Sequence, residues 1–363
     1  MKTIKDIDQN FKVETKIERE GLKFYNPEEA PFKIYGVFRE GDRFRRMPEA
    51  VAKTVSEGVE YLHTNTAGGR VRFVTDSPYV VINAKLDKND PMDHFASTGL
   101  SGFDLYVKEE GKQVYKGTFR LPAVPVNNYI SISVPSKDFE SIVYLSGEKK
   151  MREITINMPL YSDVKEFYIG LDENSQLEEH EEYKPTKPIV YYGPSITQGG
   201  CATRPGMAYE AIIERALDID YINLGFSGNA KGEQEMSDYI KTLDMSIFVM
   251  DYDANAATPE YLDATHNKMF ETIRKAQPDL PILMLSYPNY YLSESYAKRR
   301  DIIKRNYENA IKNGDKNVYF IPGNELMSDE IGAEGTVDNC HPTDLGFFSM
   351  AQKIIPVLKD ILK

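Results

Sequence analysis

The sequence predicts an α/β chain in two parts: a jelly-roll-like β-sandwich over residues 1–180, then a flavodoxin-like three-layer α/β/α domain with a five-stranded parallel sheet over 185–363. Three features predict it. Short β-branched and aromatic runs separated by turn residues fill the first half, strand and helix patterns alternate in the second, and an acidic, proline-punctuated stretch lies between them. At 363 residues the chain also exceeds one ordinary domain.

In the first half, Val71–Thr75, Tyr79–Ala84, Gly102–Val107, Ile130–Val134 and Ile154–Met158 are short and rich in side chains that suit a pleated, half-buried surface. Turn chemistry separates them, as in Ala67-Gly68-Gly69, Glu110-Gly111-Lys112 and Pro135-Ser136-Lys137-Asp138, with few runs of helical period between. Short strands at this spacing predict a sandwich. The stretch 171–188 (LDENSQLEEHEEYKPTKP) almost lacks apolar side chains, so it reads as a linker or an exposed edge segment and marks the boundary.

Beyond Pro188 the pattern changes. Ile189–Tyr192 is a buried strand, Met207–Leu217 places apolar residues at helical spacing, and Tyr221–Leu224 is a second strand. Helix 233–243, strand 246–250, helix 259–276, strand 281–285, helix 293–312, strand 318–321 and helix 345–361 complete the series. Strand alternating with helix implies right-handed crossovers and a parallel sheet covered on both faces. Ligands of such sheets bind beyond the carboxyl ends of the strands, so functional residues are expected just after strands.

Composition narrows the function classes. A net charge of -12 argues against nucleic acid or an acidic membrane surface as partner and favours a neutral or weakly charged substrate. No apolar block reaches membrane-spanning length, and charges interrupt Met1–Asp8, which predicts no secretory leader and a cytoplasmic protein. Two cysteines, Cys201 and Cys340, cannot build a disulfide framework and fit reduced thiols. The sequence leaves open a homo-oligomer.

Directly after the first strand of the second half stands Gly193-Pro194-Ser195-Ile196-Thr197-Gln198-Gly199-Gly200, read as a tight turn into a helix. Such a turn lifts Ser195 onto the rim of the sheet beside the positive helix end, where an oxyanion is favoured. The same residues also suit a bare turn with an N-cap. A phosphate loop is disfavoured because the Lys-Ser/Thr ending is missing, and Thr197 breaks the G-x-S-x-G elbow.

The second strand is followed by Asn223-Leu224-Gly225-Phe226-Ser227-Gly228-Asn229, and the third by Asp251-Tyr252-Asp253-Ala254-Asn255-Ala256. Gly228 lets a backbone N–H approach a ligand without interference from Cβ, and Asn255 offers an amide donor. Each alone also suits a turn; together they fall on one edge of one sheet. Before the last helix, Asp338 precedes His341 by three residues in a short loop, so its carboxylate can curl back onto the imidazole Nδ1–H. Asp338 also suits an Asx-turn, and Asp344 suits the N-cap of the last helix. The other histidines, His63, His94, His180 and His266, read as structural or solvated.

From about residue 188 onward the chain resembles the SGNH (GDSL-like) hydrolase superfamily, whose four blocks supply Ser, Gly, Asn and His with Asp three residues before His. The matching residues are Ser195 in GPSITQG, Gly228 in FSGN, Asn255 in DYDAN and Asp338/His341 in DNCH. Pro194 replaces the aspartate of the GDS motif, and the third block lacks the GxND form, which makes Asp251 and Asp253 competitors of Asn255. The resemblance implies a serine esterase working through an acyl-serine intermediate. Ser195 is then nucleophile, His341 the base, Asp338 its orienting carboxylate, and the N–H groups of Ser195 and Gly228 with the Asn255 amide the oxyanion donors. No metal or organic cofactor is required.

A sandwich ahead of such a domain, with the runs GPSITQGGCATRPGMAY and NLGFSGNAKGE, resembles bacterial carbohydrate O-acetylesterases, which implies an acetylated manno- or xylo-oligosaccharide of hemicellulose or another small ester as substrate. Gln198, Arg204, Phe226, Tyr252 and Tyr290 are the candidate sugar contacts, the aromatic ones for stacking, although the chain has no tryptophan. The sandwich would bind glycan itself or wall the cleft. The alternatives are a short-chain lipid or thioester hydrolase of the same fold, or a carbohydrate-binding protein with a degenerate hydrolase domain. Cys201 and Cys340 each stand within a few residues of a block, so the two blocks' convergence would make them neighbours, with a disulfide as the minority alternative.

Overall fold

A computed structural model of the chain describes residues 13, 15–88, 91–120, 125–126, 129–130, 137–288, 293–327 and 330–363. Of the expected strand Ile130–Val134 only Ile130 is among them, and Tyr290 lies outside them.

Two larger antiparallel sheets form most of the first half, beside the two-stranded pairs Phe38–Glu40 with Arg43–Arg45 and Pro125–Val126 with Tyr129–Ile130. One orders Leu22–Tyr25, Asp163–Asp172, Tyr79–Asp87 and Asp138–Tyr144; the other orders Leu177–Glu178, Arg70–Thr75, Arg152–Asn157, Phe103–Glu109 and Lys112–Phe119, with Lys33–Tyr35 also paired to Arg70–Thr75. Alternate residues point inward, so Val71 and Phe73, Val80 and Ile82, Leu105 and Val107, and Ile154 and Ile156 meet in one core.

Several strands escape a sequence reading for physical reasons. Asp163–Asp172 carries a register shift between Val164 and Glu166, which breaks the period-two pattern. Lys112–Phe119 is mostly half-exposed and polar. Two short helices, Glu49–Val55 and Glu57–Leu62, also fall in this half, the second capped by the Ser56 hydroxyl on Val59 N at 3.2 Å.

The acidic stretch is docked rather than free. Leu177–Glu178 is an edge strand on Arg70–Thr75, His180 is buried against the Arg72 guanidinium at 3.2 Å, and the buried Tyr183 hydroxyl donates to Glu214 at 2.5 Å. Its glutamates face water while these two rings anchor it.

The second half is a parallel sheet in the order Tyr221–Gly225, Ile189–Gly193, Ile247–Met250, Ile282–Leu285, Val318–Ile321. Starting with the second strand in sequence and then the first, this is the flavodoxin-like order. Side chains divide by face: Tyr191, Val249 and Leu283 pack under helices Tyr209–Leu217 and Asp344–Ile361, while Tyr192, Phe248 and Met284 pack under Gln234–Ile240, Pro259–Ala276 and Glu294–Lys312. The last helix begins one residue earlier than expected for an Asp344 cap. Thr343 holds the cap position and Asp344 is the first helical residue, its carboxylate accepting from Thr203 N at 2.8 Å.

The sandwich and the parallel sheet share their cores. Ala67, Phe95, Leu100, Leu160 and Tyr161 join one face of the sheet, and Met47, Ala52, Val59 and Leu62 join the other. The fully buried Arg46 crosses the junction, donating to Gly225 O at 2.6 Å and to Leu62 O at 2.7 Å. Among the described residues no helix is long and apolar enough to cross a membrane.

Candidate active site

The strand Ile189–Gly193 ends in a series of turns, and Ser195 sits at their start. The expected helix does not follow at once. A short 3-10 turn comes at Pro205–Met207 and the helix only at Tyr209–Leu217, so the helix does not open on the serine's own turn. Gly193 is required here, because a Cβ would lie 2.5 Å from Asp251 O.

Ser195 Oγ lies 2.8 Å from His341 Nε2, and His341 Nδ1 lies 2.8 Å from Asp338 Oδ2. The loop that carries the pair folds on its own aspartate: Asp338 Oδ1 accepts from Cys340 N at 3.0 Å and His341 N at 2.7 Å, with Asn339 in the left-handed region at φ +63°. One carboxylate thus makes the Asx-turn and holds the imidazole. Burial acts to raise the Asp338 carboxyl, but the His341 N–H, the imidazole and the Cys340 N–H outweigh it and hold it below the ordinary carboxylate value. His341 is pushed up to about 9, first by its hydrogen bond with Cys340 and then by Asp338, against the effect of burial.

The second block is fastened to the first. Phe226 N donates to Gly193 O at 2.9 Å, and Gly225 packs so closely on Gln198 that a Cβ would come within 2.2 Å of its backbone nitrogen. Gly228 is exposed at φ +69° with open space on the side where a Cβ would stand. Asn255, in the turn Asp253–Asn255, accepts from Ala230 N at 3.4 Å through Oδ1, which joins the third block to the second and directs its amide nitrogen away from that contact. Its competitors are occupied elsewhere. Burial and the neighbouring Asp253 charge raise the Asp251 carboxyl well above its ordinary value, and it accepts from the Thr197 hydroxyl at 3.1 Å. Asp253, raised to about 6 by burial, accepts from Tyr287 N at 3.1 Å.

The expected sugar contacts are placed differently. Gln198 is fully buried, donating to Asn65 Oδ1 at 3.0 Å and accepting from Ser227 N at 3.0 Å, so it positions loops. Arg204 binds the buried Asp104 of the sandwich at 3.0 Å and lies 4.0 Å over the Tyr115 ring, which makes it a clasp between the two parts. Phe226 is a core residue under the Arg46 guanidinium, and Tyr252 is buried with its hydroxyl on Thr265 at 2.9 Å. None of these four offers a free face for stacking or hydroxyl recognition.

The sandwich instead brings residues to Ser195 that sequence reading missed. Tyr161 Oη donates to Ser195 O at 3.2 Å, and the His94 ring stands 5.6 Å from the His341 ring. From the second half, Tyr287 Oη donates to Cys340 O at 3.2 Å. No sequence pattern marks His94 or Tyr161, because only the junction of the two parts puts them there. The remaining histidines are structural: His63 bonds Arg45 at 2.6 Å, and His266 is buried beside Asn306 at 3.2 Å. Cys201 and Cys340 are both free thiols.

Residues 186–359 match the GDSL-like Lipase/Acylhydrolase family, and residues 22–177 match the N-terminus of the SGNH-hydrolase-type esterases. A structure assigned as a GDSL-like lipase from Bacteroides ovatus ATCC 8483 is similar to this chain at 29% identity and TM-score 0.81, over 94% of this chain and 98% of that one. Salicylyl-acyltransferase SsfX3 from a tetracycline biosynthetic pathway shares the fold at 19% identity and TM-score 0.75, over 95% and 98%. An acetyl xylan esterase, Est2A, from the rumen bacterium Butyrivibrio proteoclasticus shares it at 12% identity and TM-score 0.59, over 94% and 98%. No curated protein matches the chain.

Proposed function

Since this chain belongs to the GDSL-like lipase/acylhydrolase family and is a carboxylic ester hydrolase, we propose that it removes O-acetyl groups from hemicellulose-derived manno- or xylo-oligosaccharides through an acetyl-serine intermediate. The observation that carries the mechanism is the unbroken chain from Ser195 Oγ through His341 to Asp338, with both links at 2.8 Å.

Ser195 Oγ attacks the acetyl carbonyl carbon while His341 Nε2 takes its proton, and Asp338 stabilises the imidazolium. The N–H groups of Ser195 and Gly228 and the amide of Asn255 receive the oxyanion. Collapse breaks the C–O bond to the sugar, and His341 returns the proton to the departing hydroxyl. Water then attacks the acetyl-serine, His341 takes its proton, acetate leaves and Ser195 is reprotonated. This chemistry runs on the chain's own side chains.

The sugar assignment is supported by the likeness of fold to an acetyl xylan esterase and by the chain's acidic balance, which suits a neutral substrate. The experiment is acetate release from acetylated xylo-, manno- and cello-oligosaccharides, beside nitrophenyl esters of increasing acyl length. Acetylated xylo- or manno-oligosaccharides are expected to be the best substrates, and Ser195→Ala to lose about 10⁶-fold in kcat. Faster turnover of butyryl or longer esters would replace this reading with a lipid or thioester hydrolase, and full activity in Ser195→Ala would remove the mechanism.

A further inference from the structure

We propose that the active site doubles as a binding site for a soft divalent cation such as zinc, held by His94, Cys201 and His341, and that its occupation switches the esterase off. One donor atom from each of these residues lies within 4.8 Å of the other two. They come from three separate segments: His94 from the sandwich, Cys201 from the turns after Ser195, and His341 from the loop before the last helix.

The donor set is what zinc selects, two imidazoles and a thiolate. Zn–S near about 2.3 Å and Zn–N near about 2.0–2.1 Å put tetrahedral donors about 3.3–3.6 Å apart, and the trio's donors already lie within 4.8 Å of one another, so the contraction needed is at most about 1.5 Å. His94 is exposed and can supply that movement, while Cys201 is buried and fixed.

Both imidazoles are already oriented as metal ligands are. His341 Nδ1 is held by Asp338 at 2.8 Å and His94 Nδ1 pairs with the exposed Asp93 at 3.0 Å, which leaves Nε2 of each ring as the donor. A ligating histidine gains basicity and orientation from such a carboxylate. Three protein ligands leave a fourth position for water, as in open zinc sites.

Occupation breaks one bond that the proposed esterase needs. The cation takes the Nε2 lone pair of His341, the 2.8 Å hydrogen bond to Ser195 Oγ is lost, and the serine keeps its proton. Cys201 releases its thiol proton to water as the metal–sulfur bond forms, and no oxidation or reduction is involved.

Asp338, Cys340 and His341 form a second trio with donors within the same 4.8 Å limit. The first is preferred because Asp338 already bonds two backbone N–H groups and the imidazole, which leaves it little capacity for a metal.

The inhibitory half of this inference rests on the esterase reading, whereas the binding half does not, so two readouts separate them. Metal binding is measured on the whole chain by equilibrium dialysis with Zn²⁺, and with Co²⁺ by the thiolate-to-cobalt absorption band. Inhibition by Zn²⁺ is measured on a nitrophenyl acetate. The expected results are one ion per chain, a cobalt–thiolate band, and loss of activity in step with occupancy. His94→Gln and Cys201→Ala should each weaken binding and raise the half-inhibiting zinc concentration at least about ten-fold. Cys201→Ser gives a second variant should the alanine fail to fold. Absence of stoichiometric binding overturns the site. Binding that survives both substitutions, or that is lost on Cys340→Ala alone, overturns the ligand assignment. Stoichiometric binding without inhibition of an active enzyme overturns the switch.

Discussion

Asp338 concentrates two duties in one carboxylate, because one oxygen builds the loop and the other holds the imidazole. Asp338→Asn is therefore expected to lower kcat by about 10⁴-fold, while Ser195 still titrates with an organophosphate only slowly. The base must be neutral to accept a proton, and His341 is pushed up to about 9 by Cys340 and Asp338. The activity should accordingly fall as pH drops through a value well above the ordinary histidine pKa of about 6.5. Cys340→Ala removes the largest contribution and should move this acid limb to lower pH in a kcat/KM profile; an unmoved limb would count against the contact. Gly228→Ala has room for its methyl but not for its φ of +69°, so a stability cost of about 1 kcal/mol is expected in urea melts.

At the scale of elements, the strand ends are fastened to one another before any substrate arrives. The line from Asp163 through Asn65 and Gln198 to Ser227 N runs over three hydrogen bonds of 2.9, 3.0 and 3.0 Å and ties the sandwich to the second block. Gly225→Ala would drive a methyl into the Gln198 backbone and is expected to cost about 1–3 kcal/mol by denaturant midpoint. The helix Pro259–Ala276 buries His266 completely, and burial lowers its pKa to about 3. The folded value lies below the unfolded one of about 6.5, so the unfolded chain binds the extra proton between them. Stability should therefore fall as pH drops from about 6.5 towards 3, by up to about 1.4 kcal/mol per pH unit from this residue. His266→Gln should flatten that slope, and an unchanged slope would assign the acid sensitivity elsewhere.

Over the whole molecule, the two halves behave as one packed body because each face of the parallel sheet takes apolar residues from the sandwich. Arg46, Arg70 and Arg204 cross the junction, the last to a fully buried Asp104 side chain. A single cooperative transition is expected, with calorimetric and tryptophan-free near-UV signals coincident. Arg204→Ala leaves Asp104 with only its Asn157 and Gly206 partners and should cost about 3 kcal/mol, without abolishing ester turnover. The sandwich does more than pack, since it places Tyr161 on Ser195 and His94 beside His341.

By itself the sequence determined the alternation of strand and helix after residue 188 and the order of its four blocks. Those signals are local: buried strands such as Ile189–Gly193 and long amphipathic helices such as Pro259–Ala276 write their pattern directly into a few consecutive residues. That Ser195 and the Asp338/His341 pair meet was legible because a parallel sheet delivers strand ends to one edge. The surroundings of Ser195 were not. Gln198, Arg204, Phe226 and Tyr252 look like ligand contacts in a loop sequence, yet the sandwich and the core claim all four. Whether a polar or aromatic side chain faces substrate or a neighbouring element depends on what packs over it from more than a hundred residues away, and only the tertiary structure decides that.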